Sequence, residues 1–535
     1  MTSTNTLIRQ GRNDEIWTKY CGFFDLNLDE FMKIQERLLM EQIELLSKSM
    51  MGRMLMGDMI PKNMEEFRQV VPLTTYEDYL GYLDQKREDV LPRKPHGWSH
   101  TSGRSGKYKH KWVPYPKKMY DKLGEILIAT MILSTCSTKG EVNLELNDKV
   151  LLATAPPPYV TSFLSHSLGE QIAVKFLPSL EIGEKMDFKE RINEGFKLAM
   201  KEGLDYFYGI ASVLVGIGER FEKGSDQIDF SIDMLHPSVI WRLIKGFVST
   251  KIKNQPTLPK DIWNLKGIMV GGTDTEIYRD KIIHYWGKDP INGYGSTEGG
   301  AMSVQAWNRK GMTFSPETNF LEFIPHQEHI KSKENPEYQP KTLLYSELEP
   351  GIYELVFTNF HGGIFTRYRV GDLIEVLSRK DEEVGIDLPQ FKFYSRADDT
   401  IRLAGFSILT EKDIWTAIEG SGIEYFDWVA RKEIKESKAY LHLFIELKNR
   451  DGIDRDTIRD GIRKNLRKNN SDYADLENML DYDALRLTLL NPGSFGSYMD
   501  YQKSQGADLA HTKPPHMKPS NEQMKSLMQK ERIKD

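Results

Sequence analysis

Apolar residues recur at helical spacing near the start of the chain. Phe31, Ile34, Leu38 and Leu39 form a stripe that Ile43 and Leu46 continue, so residues 14 to 60 are predicted to be a helical region. Its many methionines are read as core filling, a use that suits the adaptable thioether. The apolar stretch from Ile126 to Leu133 is too short to span a bilayer and contains Thr130, so it is read as a buried helix. From about residue 148 the pattern changes. Val150-Leu151-Leu152-Ala153 stops at three prolines, Ile172 to Leu177 is a second strand, and residues 185 to 203 form an amphipathic helix. Leu265 to Val270 is a further buried strand closed by Gly271-Gly272. Short apolar strands alternating with helices predict a mainly parallel sheet with helices on its faces. Ile352 to Thr358 and Leu373 to Leu377 lie closer together and are expected to form an antiparallel annex. Residues 378 to 391 read as a surface loop. A smaller unit follows, with a strand at Tyr440 to Leu447 and a basic helix at Asp456 to Lys468. The tail from Lys513 is polar, with Pro514, Pro515 and Pro519, and is expected to be irregular before a last short helix. The fold class is therefore α/β. A large N-terminal domain with mainly parallel sheets and several subdomains (1–397) precedes a smaller α+β C-terminal domain (398–535).

Composition narrows the function classes. The chain has 535 residues, more than one hydrophobic core usually serves. Hydrophobic residues make up 39% and charged residues 28%, which fits a globular protein rather than a disordered one. A net charge of -6 offers no electrostatic reason to expect nucleic acid as a partner. The two cysteines, Cys21 and Cys136, have neither zinc-site spacing nor the numbers for a disulfide framework. The first fifteen residues lack the apolar core of a signal peptide. The expectation is a soluble cytoplasmic protein with no membrane partner.

Four segments carry candidate chemistry. In His100-Thr101-Ser102-Gly103-Arg104-Ser105-Gly106-Lys107, glycines admit a phosphate to the backbone, hydroxyls and amides can donate to it, and Arg104 and Lys107 supply charge. The spacing is not that of a Walker A loop, and a Gly/Ser surface turn would also account for it. Asn292-Gly293-Tyr294-Gly295-Ser296-Thr297-Glu298-Gly299-Gly300 follows Gly271-Gly272-Thr273 by some twenty residues. Ile291 is expected to close a short strand, after which the glycines turn the chain and leave an aromatic ring, hydroxyls and one carboxylate at a strand end. Ligands of open α/β sheets bind there, although a hairpin turn would read the same way. In Phe365-Thr366-Arg367-Tyr368-Arg369-Val370-Gly371-Asp372, the aspartate after a Gly turn can accept hydrogen bonds from vicinal hydroxyls. An ordinary Gly-Asp turn also fits. Tyr394 to Gly405 falls at the domain boundary and could be a solvated charged linker.

In this order, the four segments resemble those of the adenylate-forming superfamily of acyl and aryl ligases. The Tyr-Arg-Val-Gly-Asp wording at 368–372, the N-terminal helical region and Gly493-Ser494-Phe495 followed by Lys513-Pro514-Pro515 resemble its GH3 branch, the acyl acid amido synthetases. The resemblance implies roles. Thr101, Ser102, Gly103, Ser105, Gly106 and Lys107 would hold the ATP β- and γ-phosphates, and Gly271, Gly272 and Thr273 would line the adenine side. Tyr294 would cover the adenine, with Gly295 and Ser296 beside it. Thr297 would contact the α-phosphate and Glu298 would hold Mg²⁺. Asp372 would bind the ribose with help from Arg396, Asp398 would be a hinge, and Lys513 would bridge the acid and the α-phosphate. The sequence departs from the family pattern at Arg104, at Ser395, and at His516, where a Lys-x-Pro-Arg ending would have arginine.

The activity so implied uses ATP to turn a carboxylate into an acyl-adenylate, which an amine or thiol then attacks. The acid is expected near Ala155 to Tyr159, His166 and Gly209 to Ser212, with His166 structural rather than catalytic. Three functions fit: an acid–amino acid ligase, an acyl-CoA ligase that transfers to the thiol of coenzyme A, and a non-catalytic nucleotide-binding protein that keeps the fold.

Overall fold

The computed structural model describes the chain except residues 1, 58, 102–109, 223–236, 238, 240–241, 243–255, 272–274, 336, 398, 404–406, 436–437, 450–453, 481, 505–514 and 529–535. Two compact units result. The first comprises Met1–Thr101 and His110–Tyr394, and the second runs from Ser395 onward. Among the described residues no helix is long and apolar enough to cross a membrane.

The N-terminal stripe forms α1 (Leu28–Ser47), started by a capping box in which the Asn27 side chain and Glu30 satisfy each other's backbone. Phe31, Leu38, Leu39, Ile43 and Leu46 are buried as the pattern requires. The same stripe also buries two glutamines one heptad apart. Gln35 Nε2 donates to the carbonyls of Pro316 (2.6 Å) and Asn319 (2.8 Å). Gln42 Nε2 donates to Gly363 O, and its Oε1 accepts from Gly362 N, both at 2.8 Å. The helix thus fixes two loops of the sheet through polar contacts, which apolar periodicity does not reveal. The methionines divide: Met51 and Met56 are core, whereas Met50, Met54 and Met59 remain exposed.

After the hairpin β1 (Pro95–His100) and β2 (Trp112–Pro116), the apolar stretch builds α2 (Lys117–Thr135), buried along most of its length. The α/β region then runs β3 (Asp148–Ala153), α3 (Val160–Gln171), β4 (Val174–Leu177), α4 (Phe188–Glu202), β5 (Tyr206–Gly209), α5 (Ala211–Glu222), β6 (Gly267–Gly271), α6 (Thr275–Trp286) and β7 (Ile291–Ser296). Strands β4, β3, β5, β6 and β7 are parallel neighbours in that order. Their core, with Leu151, Phe207, Trp263, Ile268 and Trp286, packs under α4, α5 and α6. The chain leaves β3 for β4 on one side and returns to β5 on the other. The carboxyl ends of β3 and β5 therefore flank a topological switch point, where open α/β sheets bind ligands.

The expected antiparallel annex forms, with Ile352 to Glu354 paired to Glu375 to Leu373, and it is continuous with the parallel strands. β7 turns back into β8 (Gly300–Gln305), and the sheet continues through β9 (Met312–Phe314), β10 (Asn319–Pro325), β11 (Leu343–Leu344), β12 (Gly351–Asn359), β13 (Tyr368–Ser378) and β14 (Gln390–Arg396). Among the described residues one twelve-stranded sheet results, ordered β11-β10-β12-β13-β14-β9-β8-β7-β6-β5-β3-β4. The surface loop expected at 378–391 is pinned by a bridge between Asp381 and Ile386 and buries Ile386 and Leu388.

Two arginines anchor β13. Arg367, at φ +44°, reaches Glu322 of β10 with Nε at 2.9 Å and Nη2 at 2.7 Å, and its Nη1 donates to Val71 O. Arg369 holds Glu354 of β12 in the same two-pronged way, at 2.9 and 2.6 Å, while His329 Nδ1 lies 2.6 Å from that carboxylate. Burial alone would raise the Glu354 carboxyl, but the hydrogen bonds of His329 and Arg369 overturn this and hold it at about 2. Arginine's planar fork suits such paired contacts. Arg367→Ala is expected to destabilise the protein by about 3–5 kcal/mol, because Glu322 would be left buried without its principal cation. A denaturant midpoint indistinguishable from the parent would refute that role.

In the second unit, the short hairpin β15 (Ile401–Leu403) and β16 (Ser407–Leu409) leads into α7 (Glu411–Glu419). The sheet β17 (Tyr425–Lys435), β18 (Lys438–Leu447) and β19 (Leu485–Leu489) follows, with α8 (Arg455–Asn469) and α9 (Ser471–Leu480) inserted before its last strand. Helices α10 (Ser494–Ser504) and α11 (Asn521–Met528) close the unit, burying Phe495, Met524 and Leu527 against Val429 and Phe444. The tail is irregular only in part. Residues 516 to 518 lie along β17, where Ala430 N donates to His516 O and Lys518 N to Ala430 O.

Candidate active site

Ile291 opens β7 rather than closing a strand, and Asn292 to Ser296 are extended. The turn comes at Thr297 to Gly299, inside a hairpin whose arms pair Gly293 with Val304 and Ser296 with Gly300. Glycine is required at 295, because a Cβ there would sit 2.5 Å from the Gly300 carbonyl oxygen. The turn is held by its carbonyls. Tyr115 of β2 donates to Thr297 O (2.6 Å), Asn359 of β12 to Glu298 O (3.1 Å), and Asn319 of β10 to Gly299 O (2.8 Å). Asn359 also donates to Asn319 Oδ1 at 2.9 Å, and Ser296 Oγ accepts from Gly299 N at 3.0 Å. Three strands distant in sequence thus fix one tight turn.

The fixed turn presents Glu298, only 4% exposed. Its Oε1 lies 3.0 Å from Lys111 Nζ and 3.0 Å from the Tyr368 hydroxyl, and Lys111 also donates to that hydroxyl at 3.2 Å. Burial and the neighbouring carboxylate push the Tyr368 phenol well above its ordinary value, so it stays a donor. Lys111 closes the base of the first motif: Thr101 N donates to Lys111 O, and Lys111 N to Thr101 Oγ1, both at 3.1 Å. The first two motifs therefore meet through Thr101, Lys111 and Glu298. Ser102, Gly103, Ser105, Gly106 and Lys107 lie outside the described residues, as do Gly272, Thr273, Asp398 and Lys513.

The third motif joins from the neighbouring half of the sheet. Asp372 is not in a turn. It lies within β13, where Val370, Gly371 and Asp372 stand against the single residue Leu355, forming a bulge with Gly371 at φ +80°. The bulge turns the Asp372 carboxylate toward Tyr294, whose hydroxyl donates to Oδ2 at 2.8 Å. The Tyr294 ring is buried and stacks on Phe393 at 6.1 Å. Asp372→Ala is expected to weaken nucleotide binding by about 1.5–3 kcal/mol, the range for a hydrogen bond to a charged group, and to leave binding of the acid closer to normal. Calorimetric titration with unaltered nucleotide affinity would reduce Asp372 to a partner for Tyr294. Gly271 is exposed at the end of β6, with nothing within 4 Å of where a Cβ would stand. Arg396 ends β14 and is exposed.

Of the residues expected near the acid, Ala155, His166 and Gly209 lie on the segment after β3, on α3 and on β5. Thr154, Ala155 and Pro156 follow β3 and line a small cavity with Ser162, Glu184 and Arg191. His166, on α3, is half-exposed, with Nε2 2.5 Å from Glu184 Oε1. That pairing suits a positioning role. Gly209 ends β5, where a Cβ would meet Ala153 Cβ at 2.5 Å.

A single buried carboxylate is a fit donor for Mg²⁺, which is commonly held by one or two carboxylates together with substrate phosphates. Among the described residues no group of three or more His, Cys, Asp or Glu could hold a metal ion by itself. Lys111, Tyr115, Asn319 and Asn359 carry no motif of their own. Lys111 had one local sign, its place at the end of the basic run that begins at Lys107.

This arrangement of sheet, turn and bulge belongs to a defined class of protein, and the chain is a member of the GH3 family. Residues 22–147 match the GH3 family N-terminal domain, 312–396 its central domain and 412–522 its C-terminal domain. Among curated relatives, the indole-3-acetic acid-amido synthetase GH3.17 of Arabidopsis thaliana is 24% identical over 237 residues. The 4-substituted benzoates-glutamate ligase GH3.12 of the same plant is 24% identical over 230 residues. These matches span 38% of this chain and 37% and 36% of the relatives' lengths. The solved AtGH3.15 acyl acid amido synthetase in complex with 2,4-DB shares the fold over 98% of this chain and 96% of its own, with a TM-score of 0.67 and 17% identity. A 2-hydroxyisobutyryl-CoA ligase in complex with 2-HIB-AMP shares it over 87% of each chain, with a TM-score of 0.59 and 13% identity.

Proposed function

We propose that this chain is an ATP-dependent acid–amino acid ligase. It joins a carboxylic acid to the α-phosphate of ATP, releasing pyrophosphate, and then passes the acyl group to the amine of an amino acid, releasing AMP. The observation that carries this reading is the convergence on one buried carboxylate, Glu298, of the base of the first motif, the β7–β8 turn and the first residue of β13. Amido synthetases and a benzoate–glutamate ligase among the relatives favour an amine acceptor.

The first half reaction brings two anions together, and the site's residues divide that task. Asp372, aimed by Tyr294, accepts hydrogen bonds from the ribose. Residues 101–107 and Thr297 hold the phosphates, with Gly271, Gly272, Thr273, Gly295 and Ser296 on the nucleotide side. Glu298 would hold Mg²⁺, which when bound offsets phosphate charge. Lys111 lies against the same oxygen and adds a second cation there. Lys513, from the C-terminal domain at 398–535, offsets the charge developing between carboxylate and α-phosphate. The acceptor amine then attacks the acyl carbon, forming the amide bond as the bond to AMP breaks, and loses its proton. Proximity in a water-poor site supplies much of the rate. Both cysteines are free and buried, which accords with the reducing cytoplasm in which we place the reaction.

The test is ATP–pyrophosphate exchange across a panel of carboxylic acids, followed by supply of amino acids or coenzyme A to the acyl-AMP formed. Acid-dependent exchange with amide product is expected. Thioester product would make the chain an acyl-CoA ligase. No exchange with any acid would leave a nucleotide-binding protein that keeps the fold.

A further inference from the structure

Asn319 begins β10 and Asn359 ends β12, and the two stand directly opposite each other in the antiparallel register. Both are buried, at 0% and 1% exposure. Their side-chain amides form one run of hydrogen bonds. Asn359 Oδ1 accepts from Phe365 N at 3.1 Å, and its Nδ2 donates to Asn319 Oδ1 at 2.9 Å and to Glu298 O at 3.1 Å. Asn319 Nδ2 donates to Gly299 O at 2.8 Å. Each amide is thereby fixed in direction, because turning either one end for end would set like atoms against each other.

The backbone that carries this pair is held from behind by α1. Gln35 binds the carbonyls of Pro316 and Asn319 and accepts from Leu321 N at 3.0 Å. Gln42 binds Gly362 N and Gly363 O. Gly363 leaves room for the pair, since a Cβ there would lie 2.5 Å from Asn359 Cβ. A buried polar network with its members satisfied rigidifies one arrangement.

That rigidity falls on one residue. The peptide planes on either side of Glu298 carry the Thr297 and Glu298 carbonyls. Tyr115 holds the first and Asn359 the second, while Asn319 holds the carbonyl of Gly299. A planar peptide with a fixed carbonyl is fixed in orientation, so φ and ψ of Glu298 are both set, and with them the direction in which its side chain leaves the backbone. We propose that Asn359 and Asn319 are positioning residues that aim the Glu298 carboxylate at the metal ion of a bound metal–nucleotide complex. This rests on the metal-holding role given to Glu298 above.

Groups that orient a metal-holding side chain are typically worth about 10–100-fold in metal affinity or activity. The pair therefore acts on the metal-dependent part of nucleotide binding. Its effect vanishes when the Glu298 carboxylate is gone, because two groups that work through one residue are not additive.

The experiment is calorimetric titration of the full chain with a non-hydrolysable ATP analogue, once with Mg²⁺ and once with EDTA. The proteins are the parent, Glu298→Gln, Asn359→Asp, Asn319→Ala and the double variant Glu298→Gln/Asn359→Asp, each with a melting curve. Asn359→Asp keeps the shape and the acceptor for Phe365 N but sets an oxygen against Glu298 O. It is expected to weaken binding with Mg²⁺ about tenfold and to leave binding in EDTA within about twofold of the parent. Asn319→Ala spares the Asn359–Glu298 contact and is expected to weaken binding with Mg²⁺ severalfold; it carries the test if Asn359→Asp does not fold. In Glu298→Gln, the Asn359→Asp change is expected to add nothing. Equal weakening with and without metal, an undiminished effect in Glu298→Gln, or no effect would make the pair a stability element only. A parent that gains nothing from Mg²⁺, or a Glu298→Gln protein that keeps the parental gain, removes the metal role of Glu298 and the positioning role with it. If Glu298→Gln loses the gain and both asparagine variants keep it, only the positioning role falls.

Discussion

Glu298→Gln is expected to reduce acid-dependent pyrophosphate exchange by about 100-fold or more, the scale seen when one charge-stabilising group is removed from a catalytic site. Glutamine has the same shape, and its amide oxygen can still accept from Tyr368 and Lys111. The three side chains that hold the turn bind the carbonyls of Thr297, Glu298 and Gly299. The fold should therefore survive, with a melting temperature within a few degrees of the parent. What is lost is the negative charge, both for the metal-holding role proposed above and as the partner of Lys111. Exchange at the parental rate in a folded Glu298→Gln protein would show that this buried turn carboxylate is structural.

The second large effect is asymmetric. Lys513→Ala is expected to slow acyl-AMP formation by about 100-fold and to slow transfer from supplied acyl-AMP far less. In the mechanism proposed above the lysine acts while two anions are forced together, and that repulsion is over once the adenylate exists. Rapid-quench measurement of each half reaction, with a folding control, separates the two. Equal slowing of both halves, or of neither, would remove Lys513 from the chemistry.

The sequence revealed local features well and long-range ones poorly. Strand β3, helices α1 and α2, and the amphipathic helix α4 were legible because each is recorded in the periodicity of its own residues. The motifs stood out because glycine, hydroxyl and acidic residues are unusually dense there. Their relations were not. Tyr294 and Asp372 are 78 residues apart and bond directly, and nothing near either one encodes the other. Asp372 read as a turn because Gly371 precedes it, yet Gly371 supplies a bulge inside a long strand. Asn319 and Asn359 went unnoticed because an asparagine that donates to a distant carbonyl looks like any loop asparagine. The antiparallel annex was legible, but its continuity with the parallel strands was not, because β8, β9 and β14 are brought together by pairings no hydrophobic pattern announces. His516 read as a departure from a family ending, and the carboxylates of Glu411 and Asp427 that flank its ring lie 105 and 89 residues away.

The continuity of the twelve-stranded sheet bears on how such proteins can be taken apart. The stretch matching the family's central domain begins at residue 312, the first residue of β9, whose pairing partner β8 lies upstream. A segment cut there would carry away one half of a hydrogen-bonded ladder and leave raw edges on both pieces, the exposed kind that invites aggregation. The Glu298 turn would go with one fragment, while Asn319, Asn359 and Asp372 would go with the other. For this chain, named segments of sequence are not exchangeable modules. On the proposed reading, grafts meant to alter acid preference belong in the loops after β3 and β5, where the backbone ladder is left whole.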